Sequence, residues 1–236
     1  MKVSTIQEGE NQMDINEQMK FTKQCLDNVF NNDFYYWNVQ ENVPLDMQVG
    51  SVNEDGWVEW KLLDSHLGNE DILEYENMVR SSLPGLFKSF LRTYYFCDSF
   101  TLQNPEFIKF KKQFKDRKEF YEHASEYNGF FAEITFLKLP SEKTLEEYKE
   151  LIINWYPLLK AGYIPFAEWQ DGQGPVCFDI QQRSENDDFK IVWFDHEELF
   201  NLGDEGCEIR ETVQQLSKEL FKSFLELLQI MFVQCM

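Results

Sequence analysis

The sequence predicts an α+β domain built on a mainly antiparallel sheet flanked by helices, and three observations predict it. The last third holds three short β-like runs, Tyr163 to Trp169, Val176 to Gln181 and Phe189 to Phe194, joined by segments rich in Gly, Asn, Asp and Ser. Short connections of that chemistry suit an antiparallel meander. Upstream, Phe87, Phe90, Leu91, Tyr94 and Tyr95 recur at helical spacing, an apolar face wide enough to need a large sheet or several helices to cover it. No repeat, low-complexity tract or βαβ alternation points to a parallel sheet.

Taken in order, the polar first ten or so residues are expected to fray. Asp14 with Glu17 three positions on then forms a capping box for a helix carrying Ile15, Met19, Leu26, Val29 and Phe30. Phe34 to Val39 is aromatic and strand-like, and the turn Asn53 to Gly56 leads into the alternating segment Trp57 to Leu63. Residues 1–66 read as an N-terminal extension packed on a core of 67–236. From Asp71 a helix presents Ile72, Tyr75, Met78 and Val79, and Pro84 opens the next. A basic helix is expected over Phe107 to Tyr121, with Phe107, Phe110, Phe114 and Tyr121 buried and Lys109 to Lys118 solvated. Asn128-Gly129 marks a turn before the strand-like Phe130 to Leu139. Ser141 or Thr144 caps a helix bearing Leu145, Tyr148, Ile152 and Trp155, which Pro157 ends or kinks before Gly162. Val213, Leu216, Leu220, Phe224, Leu227 and Met231 trace a long closing helix.

Composition sets bounds on function. A chain of 236 residues with 43% hydrophobic and 16% aromatic content buries a substantial core. Its 42 acidic against 22 basic side chains leave a formal charge of −20, which disfavours phosphate backbones and anionic lipid and favours a cationic partner. Five cysteines (Cys25, Cys97, Cys177, Cys207, Cys235) show no disulfide-framework spacing and suggest a reducing compartment. Met1 to Gln12 has no apolar stretch of the secretory kind, and the longest apolar run, Leu227 to Val233, is interrupted by Gln229. The expected location is therefore the cytoplasm, with no membrane and no direct nucleic-acid contact.

Several local strings resemble the SUKH superfamily, the Smi/Knr-like proteins. They are Leu83-Pro84 with Phe87-Lys88-Ser89-Phe90-Leu91, then Gly162 to Ala167, Gly172 to Asp179, Val192 to Glu197, and Ser223 to Leu228. Together they cover roughly residues 70–232, and their order and spacing carry the likeness. Residues 1–66 and the basic helix depart from the family pattern. The resemblance implies a single domain with a central sheet wrapped by helices and a non-catalytic role. Many bacterial members look like immunity proteins that neutralise polymorphic toxins, often nucleases, and others look like regulatory scaffolds.

Other chemistries have weaker support in the sequence. Asp195-His196-Glu197-Glu198 offers a base and hard ligands, but adjacent residues at a strand end splay, and the chain has three histidines in all. A hydrolase using His196 ranks a distant third. Gly172 and Gly174 lack the rest of a phosphate loop and read as a tight turn, and Cys177 reads as a small core residue. No catalytic residue, metal ligand or cofactor is assigned.

Acidity is concentrated. Between Tyr163 and Thr212 stand 13 Asp or Glu against 3 Lys or Arg, a formal −10. Such a field steers a basic partner to encounter. The candidate partner-binding residues are Glu168, Asp171, Asp187, Asp188, Asp195, Glu197, Glu198, Asp204 and Glu205. The expectation is a stoichiometric inhibitor of a basic toxin domain, itself a monomer or weak homodimer; the alternative is a Smi/Knr-like regulatory scaffold.

Overall fold

A β-meander organises the chain. The computed structural model describes residues 13–31, 37–39, 43–115, 119, 122–123, 126–127, 129, 131–142, 145–170, 172–183 and 188–233. Six strands, β6 (Phe100–Gln103), β7 (Glu133–Phe136), β8 (Tyr163–Trp169), β9 (Gly174–Arg183), β10 (Phe189–Trp193) and β11 (Lys218–Phe221), pair in sequence order, each antiparallel to the next. The chain is α+β, as its sequence predicts. Among the described residues no helix is long and apolar enough to cross a membrane.

Both faces of the middle strands are covered, so β8 reads as an almost continuous buried run instead of alternating with polar residues. Period-2 geometry then sorts its neighbours. Ile164, Phe166, Phe178 and Ile191 join the larger core, while Tyr163, Cys177, Val192 and Phe194 join a second cluster with Leu158, Leu199, Cys207 and Val213. Phe87, on α3 (Gly85–Leu91), sits at the centre of the larger core, with ring centroids 5.5 Å from Phe166, 5.1 Å from Phe178 and 5.2 Å from Phe224.

The N-terminal segment enters the same core. Helix α1 (Ile15–Asn31) opens on the expected capping box: Asp14 Oδ1 accepts from Glu17 N at 3.0 Å and Glu17 Oε2 accepts from Asp14 N at 3.1 Å. It packs on α3, where Thr22 and Thr93 share a buried hydroxyl contact of 2.8 Å, and its Phe30 ring lies 5.3 Å from Phe100. Strands β1 (Trp37–Val39), β2 (Gln48–Val49) and β3 (Trp57–Trp60) make a small sheet beside it. Helix α2 (Asn69–Val79) buries Ile72, Tyr75 and Val79.

Four expectations are corrected. The helix over Phe87 and Phe90 ends at Leu91, and Tyr94–Tyr95 form β5 against β4 (Leu63–Asp64). A strand partner and two aromatic side chains outweigh the helical spacing there. The basic helix, α4, spans only Pro105–Lys111; Phe107, Phe110 and Phe114 are half-buried, and Arg117, Lys118 and Tyr121 lie outside the described residues. Ser141 caps no helix, since its hydroxyl donates to Asp46 Oδ1 at 2.8 Å; α5 (Glu146–Asn154) instead follows Leu145 at a left-handed φ of 63°. Thr144, Phe34 to Tyr36, Asn128, Phe130, Cys235 and the first twelve residues also lie outside.

The fourth correction is the long closing helix. In its place stand α8 (Arg210–Val213), a short 3-10 turn, β11, α9 (Phe224–Leu228) and a π-turn over Gln229–Val233. Ser223 is the cause of the restart, because its side chain accepts from Glu226 N at 3.0 Å and caps α9. Asp188, just before β10, reinforces it. Its Oδ1 accepts from Phe224 N and its Oδ2 from Leu225 N, both at 3.1 Å.

Candidate functional site: an acidic groove with an apolar floor

The groove begins at a glycine. Gly174, at φ +151°, lies so close to the neighbouring chain that a Cβ there would stand 1.9 Å from the Phe194 carbonyl oxygen. That approach lets Phe194 N donate to Pro175 O at 3.2 Å and His196 N donate to Gln173 O at 2.9 Å. The end of β10 is thereby pinned where α7 (His196–Cys207) starts.

Asp195 caps α7, its Oδ1 accepting from Glu197 N at 2.9 Å and Glu198 N at 3.3 Å. Glu197 and Glu198 occupy the first turn, where the helix dipole favours anions. The string Asp195 to Glu198, read from sequence as a strand end, is thus a helix entry. At Gly203 (φ 71°, ψ 166°) the helix kinks and then resumes through Asp204 and Glu205 to Cys207. Leu199 and Cys207 point to the second core cluster, whereas Phe200 is 85% exposed.

Opposite stands the break between α5 and α6 (Tyr156–Lys160). Trp155 leaves helical geometry there (φ −113°, ψ 27°), and Pro157 follows in the first turn of α6. Between this corner and α7 runs a groove of about 570 Å³. Trp155, Pro157, Leu158 and Leu199 provide its apolar surface, with Phe200 beside them, and His196, Glu197, Asn201 and Asp204 its polar one.

The nine acidic candidates divide by position. Glu197 and Asp204 line the groove, and Glu205 is exposed next to Asp204. Asp195 is half-buried and engaged as the cap, and Glu198 turns away to Lys218 Nζ at 3.0 Å. Glu168 is half-buried on β8, opposite Thr135 and Pro175. Asp188 is 7% exposed and holds the backbone N–H groups of Phe189, Phe224 and Leu225, a structural role. Asp171 and Asp187 lie outside the described residues. The structure therefore brings together the acidic residues of one helix. It adds Trp155, Leu158 and Phe200, which sequence reading passed over; the apolar pair Leu199-Phe200 inside an acidic stretch was the available signal.

His196 Nδ1 lies 2.9 Å from Gln173 O. Because a carbonyl only accepts, Nδ1 is the donor in this contact. Burial, and then the charge of Asp204, raises the Cys207 thiol above its ordinary value, which keeps it a poor nucleophile. Cys177 is fully buried and burial pushes its thiol well up, in keeping with a small core residue. Among the described residues, no three His, Cys, Asp or Glu side chains lie close enough together to hold a metal ion. Compared with family models and with curated proteins, the chain matches none.

Proposed function

We propose that this chain is a non-catalytic, SUKH-like immunity protein that neutralises a basic, nuclease-type toxin domain by stoichiometric binding in the cytoplasm. One observation carries the reading: an acidic helix, with Glu197, Asp204 and Glu205 toward solvent, borders an open groove whose apolar surface includes the 85% exposed Phe200. Interfaces work by joining a desolvated apolar centre to a rim of complementary charge. A nuclease supplies the matching sign, because its own substrate demands a basic cleft. The formal −20 of the whole chain adds long-range steering to the local match.

The test is to co-express the protein with the toxin domain encoded beside its gene and to score growth, with a pull-down at low and high salt. Rescue of growth with a stable complex that weakens at high salt supports the reading. Absence of both rescue and complex overturns it.

A further inference from the structure

The geometry points to a basic amphipathic helix as the occupant of the groove between Asn154–Leu158 and His196–Cys207, seated with an apolar side chain on the floor and an arginine or lysine at the acceptor rim. This inference rests on the protein-binding reading and names what part of the partner enters.

The charges lining the groove decide the sign of the occupant, since Asn154 and Asn201, which also line it, both donate and accept and carry no charge. Glu197 and Asp204 line the groove and, as carboxylates, only accept. His196 Nδ1 is engaged with the Gln173 carbonyl at 2.9 Å. No Lys or Arg is among the described residues that line the groove. Lys160, on α6, is held elsewhere: its Nζ lies 2.5 Å from Glu208 Oε1 and 5.6 Å from the Tyr156 ring centroid. Donor-only side chains satisfy such a rim, and guanidinium does so with a geometry that carboxylates match in pairs. Anionic chains, including nucleic acid, are repelled by the same residues.

The apolar part decides the shape. One wall is the α5–α6 corner, helical on either side of Trp155, the other is α7, and the floor of Trp155, Leu158 and Leu199 runs between them. Phe200, in the lining, is 85% exposed, more apolar surface than a solvated helix face needs. A groove walled by two helices is suited to a third, which presents anchors at i, i+3 or i+4 and cations on the flanking positions.

The probe is a short acetylated and amidated helical peptide with leucines on one face and arginines flanking them, titrated into the intact protein at low salt by calorimetry. A second peptide with glutamates in place of the arginines is the control. Saturable binding of the arginine peptide, at least about tenfold tighter than the control, is expected, with about tenfold loss in Phe200→Ala and in Glu197→Lys/Asp204→Lys. These side chains are exposed, and an unchanged thermal midpoint confirms that each variant folds. No saturable binding, equal binding of the two peptides, or indifference to the variants would overturn the inference. A toxin complex that forms but ignores the same substitutions overturns the groove while leaving the protein-binding reading intact; failure of any toxin complex to form removes the reading itself.

Discussion

Arg210 reaches back from α8 to β9, its Nη2 2.7 Å from Asp179 Oδ2, with the two side chains only 13% and 5% exposed. The guanidinium also lies 4.1 Å over the Tyr163 ring and donates to Ala161 O at 3.3 Å. One buried cation thus joins the sheet, the end of α6 and the element that follows α7, so the two walls of the groove are tied to the same point. Arg210→Ala leaves an uncompensated buried carboxylate and is expected to cost about 3–5 kcal/mol. Urea unfolding of the variant measures this; a loss under about 1 kcal/mol would show that the pair does not hold these elements together.

Asp188 makes the second prediction. Removing its carboxylate in Asp188→Ala strands the backbone N–H groups of Phe189, Phe224 and Leu225, at an expected cost of about 2–4 kcal/mol. Burial raises this carboxyl above its ordinary 3.8, working against the three N–H groups that favour the anion. A group whose pKa is raised by folding contributes stability that is complete below the unfolded value and is lost as pH climbs through the folded one. The stability difference between wild type and Asp188→Asn therefore falls as pH rises from 3.8 through the weakly acidic range. Unfolding free energies across that range provide the check, and a constant difference would contradict it.

Gly174 links fold to site. Any side chain there meets the Phe194 carbonyl, so Gly174→Ala must push β10 and the start of α7 away from Gln173. A loss of at least about 3 kcal/mol is expected, together with altered amide signals at His196 and Glu197. A variant with wild-type stability and unshifted signals would refute the close approach.

Phe87 tests the aromatic core. Its ring meets Phe166, Phe178 and Phe224 within 5.5 Å and is wholly buried. Phe87→Ala is expected to destabilise by about 3–5 kcal/mol, read from thermal and denaturant unfolding.

What was legible in the sequence follows from which forces act locally. The three runs Tyr163 to Trp169, Val176 to Gln181 and Phe189 to Phe194 carried the meander because turn chemistry and strand patterning are short-range signals. The capping box at Asp14 and Glu17 was equally local. Tyr94, Tyr95 and Leu220 failed for a shared reason: an apolar residue at helical spacing is also what a strand buries when a partner edge is waiting, and spacing alone does not reveal the edge. At the groove, acidity located the helix that borders it but not that helix's engaged members. Asp188 and Glu198 look alike in sequence; only the fold shows that one caps a distant helix and the other pairs with Lys218. Beyond the Leu199-Phe200 pair the groove floor was out of reach, because Trp155 and Leu199 line one groove only once the α5–α6 corner and α7 are packed.

The most direct test of the central claim is the salt dependence of affinity for a basic toxin domain of the kind proposed as partner, measured on wild type and on Glu197→Lys/Asp204→Lys. The account predicts tight binding that weakens steeply as ionic strength rises past about 0.1 M, where the screening length shortens to about 10 Å, with both the affinity and its salt slope sharply reduced in the charge-reversed variant. Equal affinities and equal slopes for the two proteins would contradict it.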